Sequence, residues 1–317
     1  MAAAPVGQRP ADGPASKNRA MEPTKSDTTA DRASRALHQS HPRDWGQNSY
    51  VYPVLSRRSH GLSIGINLNP DKACNFDCIY CQVDRTVAAQ VRKVDLAVLA
   101  RELDEMVSWV ADGAVWKSPP FDAASPSQRR LNDLAFSGDG EPTTFKPFDR
   151  AVQIAIDVLS RHHLDDTKII LITDACYLTK SHVRRGLELM DANGGEVWAK
   201  LDAGTEAYFR LVNKPNYSLQ HVLDNIIDAA RVRPVVIQSM WMQIDGAGPP
   251  DSEIDAFIER LQEIRTAGGR ISGVQVYTVA RRPADSSVTP LSNADVDAIA
   301  DRVRRGTDLP AEPYYAS

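Results

Sequence analysis

From Trp45 onward, short apolar runs alternate with longer stretches in which apolar residues recur every three or four positions. The short runs predict six buried strands: Leu62–Leu68, Asp133–Ser137, Lys168–Thr173, Val197–Asp202, Val235–Met242 and Gly273–Val279. The longer stretches predict six helices: Leu96–Val110, Phe148–Arg161, His182–Ala192, Leu219–Ala230, Ser252–Ala267 and Ala294–Arg304. In the first helix, one face collects the apolar residues Leu99, Leu103, Met106 and Val110.

Strands that alternate with helices predict parallel β/α units, because parallel strands need crossover connections and the helices supply them. Six such units favour the α/β class and an open, partial (β/α)6 barrel with a parallel sheet. Chemistry in such barrels gathers at the C-terminal ends of the strands. The segments that follow the first two strands are therefore the first places to look for a site.

Residues 1–44 differ from the rest, being rich in Ala, Pro, Ser, Thr, Arg and Asp with few large apolar side chains. Ordering each residue costs about 1–2 kcal/mol of backbone entropy, which so few apolar groups cannot offset. The pattern predicts a disordered N-terminal tail, weakly basic, that serves as a partner-binding arm or, as we favour, is simply solvated. Residues 45–317 are expected to form one partial-barrel domain with a C-terminal helical extension.

Composition narrows the class of protein. The 317 residues are 42% hydrophobic and 25% charged, with a net charge of −4. This balance is typical of a soluble globular protein and argues against a large uniform nucleic-acid surface, while leaving a local basic patch open. No apolar stretch is long enough to cross a bilayer, and the N-terminus lacks the apolar core of a secretion signal. We therefore expect a cytoplasmic protein.

Three of the four cysteines, Cys74, Cys78 and Cys81, lie within eight residues directly after the first predicted strand. Three thiolates from one short loop can hold three irons of a [4Fe-4S] cluster and leave the fourth iron open to a small molecule. An open metal position is typical of a reactive site. A zinc site would need a fourth ligand, and the nearest histidine is His60; a four-cysteine site would need the distant Cys176.

A glycine-rich segment follows the second predicted strand, where Ser137, Gly138, Asp139, Gly140 and Glu141 precede a proline. The glycines allow a tight turn and close approach to a ligand, and the glutamate can accept from an ammonium group. An ordinary strand-to-helix turn uses the same residue types. Neither a zinc site nor a four-cysteine site accounts for this second motif.

Together the two motifs resemble those of the radical S-adenosylmethionine superfamily. The resemblance implies that S-adenosylmethionine chelates the open iron through its amino and carboxylate groups, and that the aromatic residue before the third cysteine, Tyr80, lies near the adenine. Residues 138–143 resemble the superfamily's Gly-Gly-Glu-Pro element, which holds the methionine amino group, although Asp139 interrupts the glycines. Ser137, Gly138, Asp139, Gly140 and Glu141 are cofactor-binding candidates on the same basis.

The resemblance also implies a mechanism. An electron enters the cluster and cleaves S-adenosylmethionine to methionine and a 5′-deoxyadenosyl radical, which removes hydrogen from a substrate carbon. We accordingly expect a radical iron–sulfur oxidoreductase or lyase-type enzyme, with a reductant such as flavodoxin or ferredoxin as partner.

The substrate is open, with tRNA or a partner protein as possibilities. The nearest subgroup is loosely that of wyosine-type tRNA-modifying enzymes, but only Cys176 remains here for a second cluster. An activase that generates a radical on a partner enzyme stays open. From other classes, a non-catalytic iron–sulfur electron carrier or sensor, or a zinc-bearing module, are the alternatives.

The fourth predicted strand carries Trp198, Lys200 and Asp202 on one face. A lysine and an aspartate are costly inside a barrel unless they pair or bind something. They either form an ion pair at a solvated strand end or contact the ribose, the methionine carboxylate or the substrate, and related enzymes often use this strand for the cofactor. We take Lys200 and Asp202 as catalytic and cofactor-binding candidates, with a Schiff-base role for the lysine as a weaker hypothesis.

Further candidates are less specific. Asp174 follows the third strand where similar proteins often have asparagine, and Cys176 is expected to be a small packed residue. Possible interior residues on the last two strands are Gln238, Gln275, Tyr277 and Arg281. Residues 112–132 lack periodicity and are either a lid or an insertion.

Overall fold

The computed structural model describes residues 45–56, 58, 61–283 and 285–316. The predicted tail and His60 lie outside the described residues. In the described part, nine strands form a sheet: β1 Val51–Ser56, β2 Gly61–Ile66, β3 Leu131–Phe136, β4 Lys168–Thr173, β5 Glu196–Lys200, β6 Val235–Ile244, β7 Ile271–Thr278, β8 Val288–Pro290 and β9 Ala311–Tyr314.

The sheet confirms the predicted fold class. Strands β2 to β7 lie side by side in chain order and are all parallel. The sheet curls into a half-barrel whose wall is extended by β1, antiparallel to β2, and by β9, parallel to β7. The short β8 pairs with the end of β6. All six predicted strands are present, each within two residues of its expected bounds.

Seven α-helices in the described part connect or flank the strands: α1 Leu96–Ala111, α2 Phe148–Arg161, α3 Ser181–Asp191, α4 Glu206–Asn213, α5 Leu219–Val232, α6 Asp251–Thr266 and α7 Asn293–Thr307. Six of them match the predicted helices to within three residues. The eight-residue α4 was missed because it is too short to show a helical period. None of the helices described is long and apolar enough to cross a membrane.

The two faces of the sheet have different surroundings. Alternate strand residues such as Leu134, Leu171 and Val197 join one continuous core with the helices. On the inner face, Ala135, Ile170 and Trp198 form a small apolar group, with Ile172 and Val236 packed against it. Polar side chains such as Ser63, Lys200 and Gln238 line the cavity on the same face, and this places the chemistry inside the half-barrel.

Residues 112–132 do not form a lid over the inner face. Three short 3-10 turns occupy part of this segment, at Ala114–Lys117, Phe121–Ala123 and Pro126–Gln128. Phe121 is buried against Trp45 and Trp109, with ring centres 5.5 and 6.1 Å apart. Of the two alternatives, the segment is an insertion that packs against the end of α1, and none of its residues lines the central cavity.

The first strand is anchored by a buried carboxylate that sequence patterns did not indicate. Glu102 on α1 is 2% exposed and accepts hydrogen bonds from the backbone N–H groups of Ser49, Tyr50 and Val51. These N–H groups precede or begin β1, where they would otherwise lack partners. The contact fixes the edge of the sheet nearest the cysteine loop.

Candidate active site

A cavity of about 310 Å³ opens on the inner face of the half-barrel. The two sequence motifs, far apart along the chain, meet at its wall. Of the predicted site residues, all but Asp202 line it, namely Cys74, Cys78, Cys81, Tyr80, Ser137, Gly138, Asp139, Gly140, Glu141 and Lys200. Asp202 lies behind this wall, 1% exposed.

The cysteine loop is held by the C-terminal end of α4. The backbone N–H of Asp77 donates to the carbonyl of Asn213 at 3.0 Å, and that of Ile79 donates to the carbonyl of Val212 at 2.9 Å. These carbonyls belong to the last turn of the helix, which has no further helical partners to offer them. A helix that was missed in the sequence therefore fixes the conformation of the loop.

Polar groups surround the cysteine sulfurs. Asn213 Nδ2 lies 3.4 Å from the Sγ of Cys78, and Arg85 Nη1 lies 3.3 Å from the Sγ of Cys81. Burial raises the pKa of Cys74 to about 12 and that of Cys78 to about 11. Donors at 3.3–3.4 Å would stabilise thiolates once a metal withdraws the protons.

The cysteines fit the cluster that the spacing predicts. All three are free, half-buried and open to one cavity. Cys176 is packed in the core, 1% exposed, and does not line the cavity, as expected of a small packed residue. Within the described ranges, no three His, Cys, Asp or Glu side chains converge on a single ion. A [4Fe-4S] cluster would take one of these thiolates on each of three irons and would leave the fourth iron without a protein ligand.

Both glycines of the second motif are required by close packing against the chain that leads to Cys74. A Cβ on Gly138 would lie 2.3 Å from Asn67 Oδ1, and one on Gly140 would lie 1.8 Å from the carbonyl oxygen of Ala73. The N–H of Glu141 donates to the same carbonyl at 3.0 Å. The glycine turn and the cysteine loop therefore form one unit.

Asp139, which lies between the two glycines, forms two hydrogen bonds with a single side chain. Asn67 Nδ2 donates to Asp139 Oδ2 at 2.7 Å, and Asn67 Oδ1 accepts from the Asp139 N–H at 3.2 Å. Asn67 directly follows β2. It orients the turn, a role that the sequence did not reveal because the two residues are distant along the chain.

The Glu141 carboxylate is occupied by donors from the protein itself. It accepts from the N–H and hydroxyl of Thr143 at 3.1 and 2.5 Å, from the Thr173 hydroxyl at 2.7 Å and from the Asp174 N–H at 2.7 Å. Burial raises its pKa despite these bonds. The side chain holds the turn against the end of β4, and its binding of an ammonium group stays a prediction.

Asp174 brings a second carboxyl group to the same corner of the cavity. Its Oδ1 accepts from the N–H of Cys176 at 2.9 Å and from Asn75 Nδ2 at 3.3 Å. Its Oδ2 is buried without a hydrogen-bond partner among the described residues. Burial and the neighbouring Glu141 raise the pKa of Asp174 well above its ordinary value. An unpartnered oxygen at the cavity wall is suited to a polar ligand.

Lys200 and Asp202 form an ion pair, but not at a solvated strand end as one alternative expected. Asp202 is buried and accepts from the Tyr80 hydroxyl, from Asn213 Nδ2 at 2.8 Å and from the Met240 N–H at 2.9 Å. The Nζ of Lys200 lies 3.5 Å from its Oδ2. Asp202 thus ties the cysteine loop to β5 and β6.

The charge of Lys200 is well stabilised. Its Nζ lies 4.8 Å from the centre of the Tyr80 ring and 3.5 Å from the Tyr277 hydroxyl. Burial lowers the pKa of the ammonium group, but Asp202, Tyr277 and Cys78 together raise it above its ordinary value. A Schiff base requires a neutral amine, so the site does not favour that role for Lys200.

The chain was compared with known proteins. No family model matches it. It is 30% identical over 176 residues to the UPF0026 protein MJ1312 of Methanocaldococcus jannaschii, a match that covers 56% of this chain and 46% of that protein. It is 24% identical over 249 residues to a protein named GTPase Obg of Brachyspira hyodysenteriae, covering 77% and 32%. The chain thus spans about a third of one of these relatives and just under half of the other.

Two solved structures align over most of the chain. A radical SAM methyltransferase from Sphaerobacter thermophilus gives a TM-score of 0.58 at 13% identity, covering 84% of this chain and 69% of that one. Streptococcus suis SuiB bound to S-adenosylmethionine gives 0.51 at 12% identity, covering 81% and 52%. The fold is that of radical S-adenosylmethionine enzymes. The resemblance inferred from the two motifs is confirmed at the level of fold, and the tRNA-modifying subgroup stays a prediction.

Several residues that shape the cavity were missed in the sequence. Asn67, Arg85 and Asn213 contact the two motifs, as described above. Tyr52 on β1 passes over Gly65, where a Cβ would lie 2.3 Å from its ring, and its hydroxyl donates to the carbonyl of Ser137 at 3.1 Å. The only signal for Tyr52 was a glycine inside a strand, which often marks a close approach.

Proposed function

We propose that the chain is a radical S-adenosylmethionine enzyme in which Cys74, Cys78 and Cys81 hold a [4Fe-4S] cluster. The observation that carries the proposal is the meeting of three free cysteines and the Gly-Asp-Gly turn at one cavity. The alignment with radical S-adenosylmethionine enzymes supports it through the fold. When bound, the cluster supplies the electron that cleaves S-adenosylmethionine to a radical able to take hydrogen from a substrate carbon.

The residues of the chain have separate roles in this proposal. The turn of Gly138 and Gly140 lines the cavity where we place the methionine part of the cofactor, and Asp174 offers its unpartnered oxygen to the amino group. Tyr80 lies beside the adenine, with its hydroxyl on Asp202 and its ring under Lys200. The ion pair holds this wall rigid, and Lys200 meets the carboxylate or ribose.

The proposed chemistry determines which reductant, compartment and substrate the enzyme requires. The cluster needs a one-electron reductant, for which flavodoxin or ferredoxin is suited, and a reducing compartment such as the cytoplasm. The reaction belongs to the oxidoreductase or lyase type. The substrate is a small molecule, a tRNA or a partner protein with an abstractable hydrogen on carbon.

The proposal is tested by 5′-deoxyadenosine formation. The full chain is reconstituted with iron and sulfide without oxygen, reduced with dithionite and supplied with S-adenosylmethionine. We expect 5′-deoxyadenosine from the wild type and from Cys176→Ala, which removes a cysteine outside the cavity. Cys78→Ala should produce none, because one of the three cluster ligands is gone.

Two other results would point elsewhere. A complete, stable cluster that neither binds nor cleaves S-adenosylmethionine would overturn the proposal and favour an electron carrier or sensor. Colourless protein that contains zinc without acid-labile sulfide would favour an interaction module.

A further inference from the structure

One arginine of the cavity takes no part in the motifs. Arg58 follows β1, in the connection to β2 at one end of the sheet. Its guanidinium carbon nevertheless lies 5.6 Å from the centre of the Trp198 ring on β5 and 5.4 Å from that of Tyr277 on β7. The side chain therefore reaches across the open side of the half-barrel to the opposite wall.

The two rings stabilise the positive charge of Arg58 and leave the N–H donors of its guanidinium available. A guanidinium over aromatic faces gains cation–π attraction and keeps the N–H groups at its edge. Arg58 lines the cavity. None of the carboxylates described forms an ion pair with it. A fixed planar cation of this kind is suited to bidentate contact with an anionic oxygen group.

The side-chain oxygen of a buried glutamine on the strand between these two rings accepts no hydrogen bond from the described residues. Gln238 is 0% exposed and donates from Nε2 to the Oε1 of Gln275 at 2.7 Å. Its own Oε1 has no partner in the described part of the chain, and the residue lines the same cavity. Gln238 pairs in register with Lys200 on one side and Gln275 on the other. The strands that carry Trp198 and Tyr277 therefore flank it.

We propose that the inner part of this cavity binds a substrate that carries a carboxylate or phosphate group beside an O–H or N–H donor. Arg58 binds the anionic oxygens through the edge of its guanidinium, and Gln238 Oε1 accepts from the neighbouring donor. The identification of this ligand as the substrate rests on the proposed function.

The site adjoins the place proposed for the cofactor. Arg58 contacts Trp198 on one side and Tyr277 on the other. The Tyr277 hydroxyl lies 3.5 Å from the Nζ of Lys200, the group that the proposed function assigns to the cofactor. A ligand held by Arg58 and Gln238 therefore lies beside the proposed cofactor position.

The test measures binding of small anions to the full chain by calorimetry. The probes are glycolate, which pairs a carboxylate with a hydroxyl, glycerol 3-phosphate, which pairs a phosphate with hydroxyls, and neutral glycerol. We expect one of the two anions to bind and glycerol not to bind. The anion that binds distinguishes a carboxylate from a phosphate site.

Variants assign the binding to Arg58. We expect Arg58→Gln to weaken binding of the anion at least tenfold. Arg58→Lys keeps the charge but not the planar edge, and it should weaken binding less. Gln238→Leu should reduce the preference for glycolate over acetate, because the hydroxyl loses its acceptor. Arg150→Gln, on the exposed face of α2, is the matched control and should leave affinity unchanged.

Several results would overturn the inference. The first is that neither anion binds. The second is that Arg58→Gln binds the anion as tightly as the wild type does. The third is that this variant loses affinity for S-adenosylmethionine to the same extent, which would assign Arg58 to the cofactor. Circular dichroism checks that each variant is folded. If 5′-deoxyadenosine forms while no anion binds, only this inference fails; anion binding without 5′-deoxyadenosine contradicts the proposed function alone.

Discussion

At the scale of single residues, the glycine turn leaves no space for even one added carbon. Gly140 lies so close to the chain before Cys74 that a Cβ would overlap the carbonyl oxygen of Ala73 at 1.8 Å. That carbonyl also accepts the hydrogen bond from Glu141. Any side chain at this position must therefore displace the cysteine loop or the turn.

We expect Gly140→Ala to destabilise the protein by about 1–3 kcal/mol, the usual cost of forcing extra atoms into a packed region. Iron content after anaerobic reconstitution should fall in parallel, because the loop moves. The control is Gly248→Ala, whose Cβ would meet only a Leu291 methyl carbon at 3.7 Å. Unchanged melting temperature and full iron content in Gly140→Ala would show that the turn is looser than the contacts indicate.

Asp174 makes stability depend on pH. Its pKa in the folded protein lies well above the ordinary 3.8, chiefly because of burial. The folded protein holds this proton to higher pH than the unfolded chain does. Stability is therefore lost as pH rises above 3.8 toward the raised pKa.

Asp174→Asn does not titrate and keeps an oxygen to accept from Cys176 and Asn75. We expect the metal-free variant to be more stable than the wild type at pH 7, because the wild type loses stability as pH rises toward the raised pKa of Asp174, whereas the amide has no proton to lose. The advantage should shrink toward pH 4. Denaturant unfolding at several pH values measures it, with the exposed Asp122→Asn as control. A gain that does not change with pH would contradict the titration argument.

At the scale of elements, the short helix α4 controls the cysteine loop. Its last two residues, Val212 and Asn213, accept backbone hydrogen bonds from the loop. The Asn213 side chain donates to Asp202 at 2.8 Å and lies 3.4 Å from both the Cys78 sulfur and the Tyr80 hydroxyl. One amide thus joins Cys78, the aromatic wall and the buried ion pair.

We expect Asn213→Ala to weaken iron binding about 10–100-fold, as is usual when a residue that supports a metal ligand is removed. The rate of iron release from the reconstituted protein to a chelator measures this. Asn216→Ala is the matched control, because Asn216 contacts the loop through its backbone N–H at 3.1 Å, which the substitution keeps. Equal release rates in the two variants would remove Asn213 from the support of the cluster.

Some helices and strands could be predicted from sequence patterns, and others could not. The buried parallel strands and their crossover helices were predictable, because each carries its own apolar period. Helix α4 was not, because it has only eight residues, and strand β1 was not, because its position depends on distant partners such as Glu102. The half-barrel could be inferred, whereas its antiparallel edge could not.

At the scale of the whole molecule, the predictable part of the site is the part that is local in sequence. The cysteines and the glycine turn each form a compact motif, so spacing identified them. Tyr52, Arg58 and Asn67 were missed because their significance arises only when the sheet curls and brings opposite walls together. Likewise, the sequence indicated Lys200 and Asp202 as a pair. Their burial could not be predicted, because it depends on the cysteine loop that packs over them.

The spread of the cavity wall along the chain also bears on how the protein is made. The wall extends from Tyr52 to Arg281, while the cysteines lie near its start. A chain grows from its N-terminus, so the thiols emerge long before β5, β6 and β7 exist to enclose them. Until those strands fold, the thiols are accessible to oxidants and to other metal ions. We therefore expect the proposed cluster to be loaded after synthesis, on a barrel whose later strands have already folded.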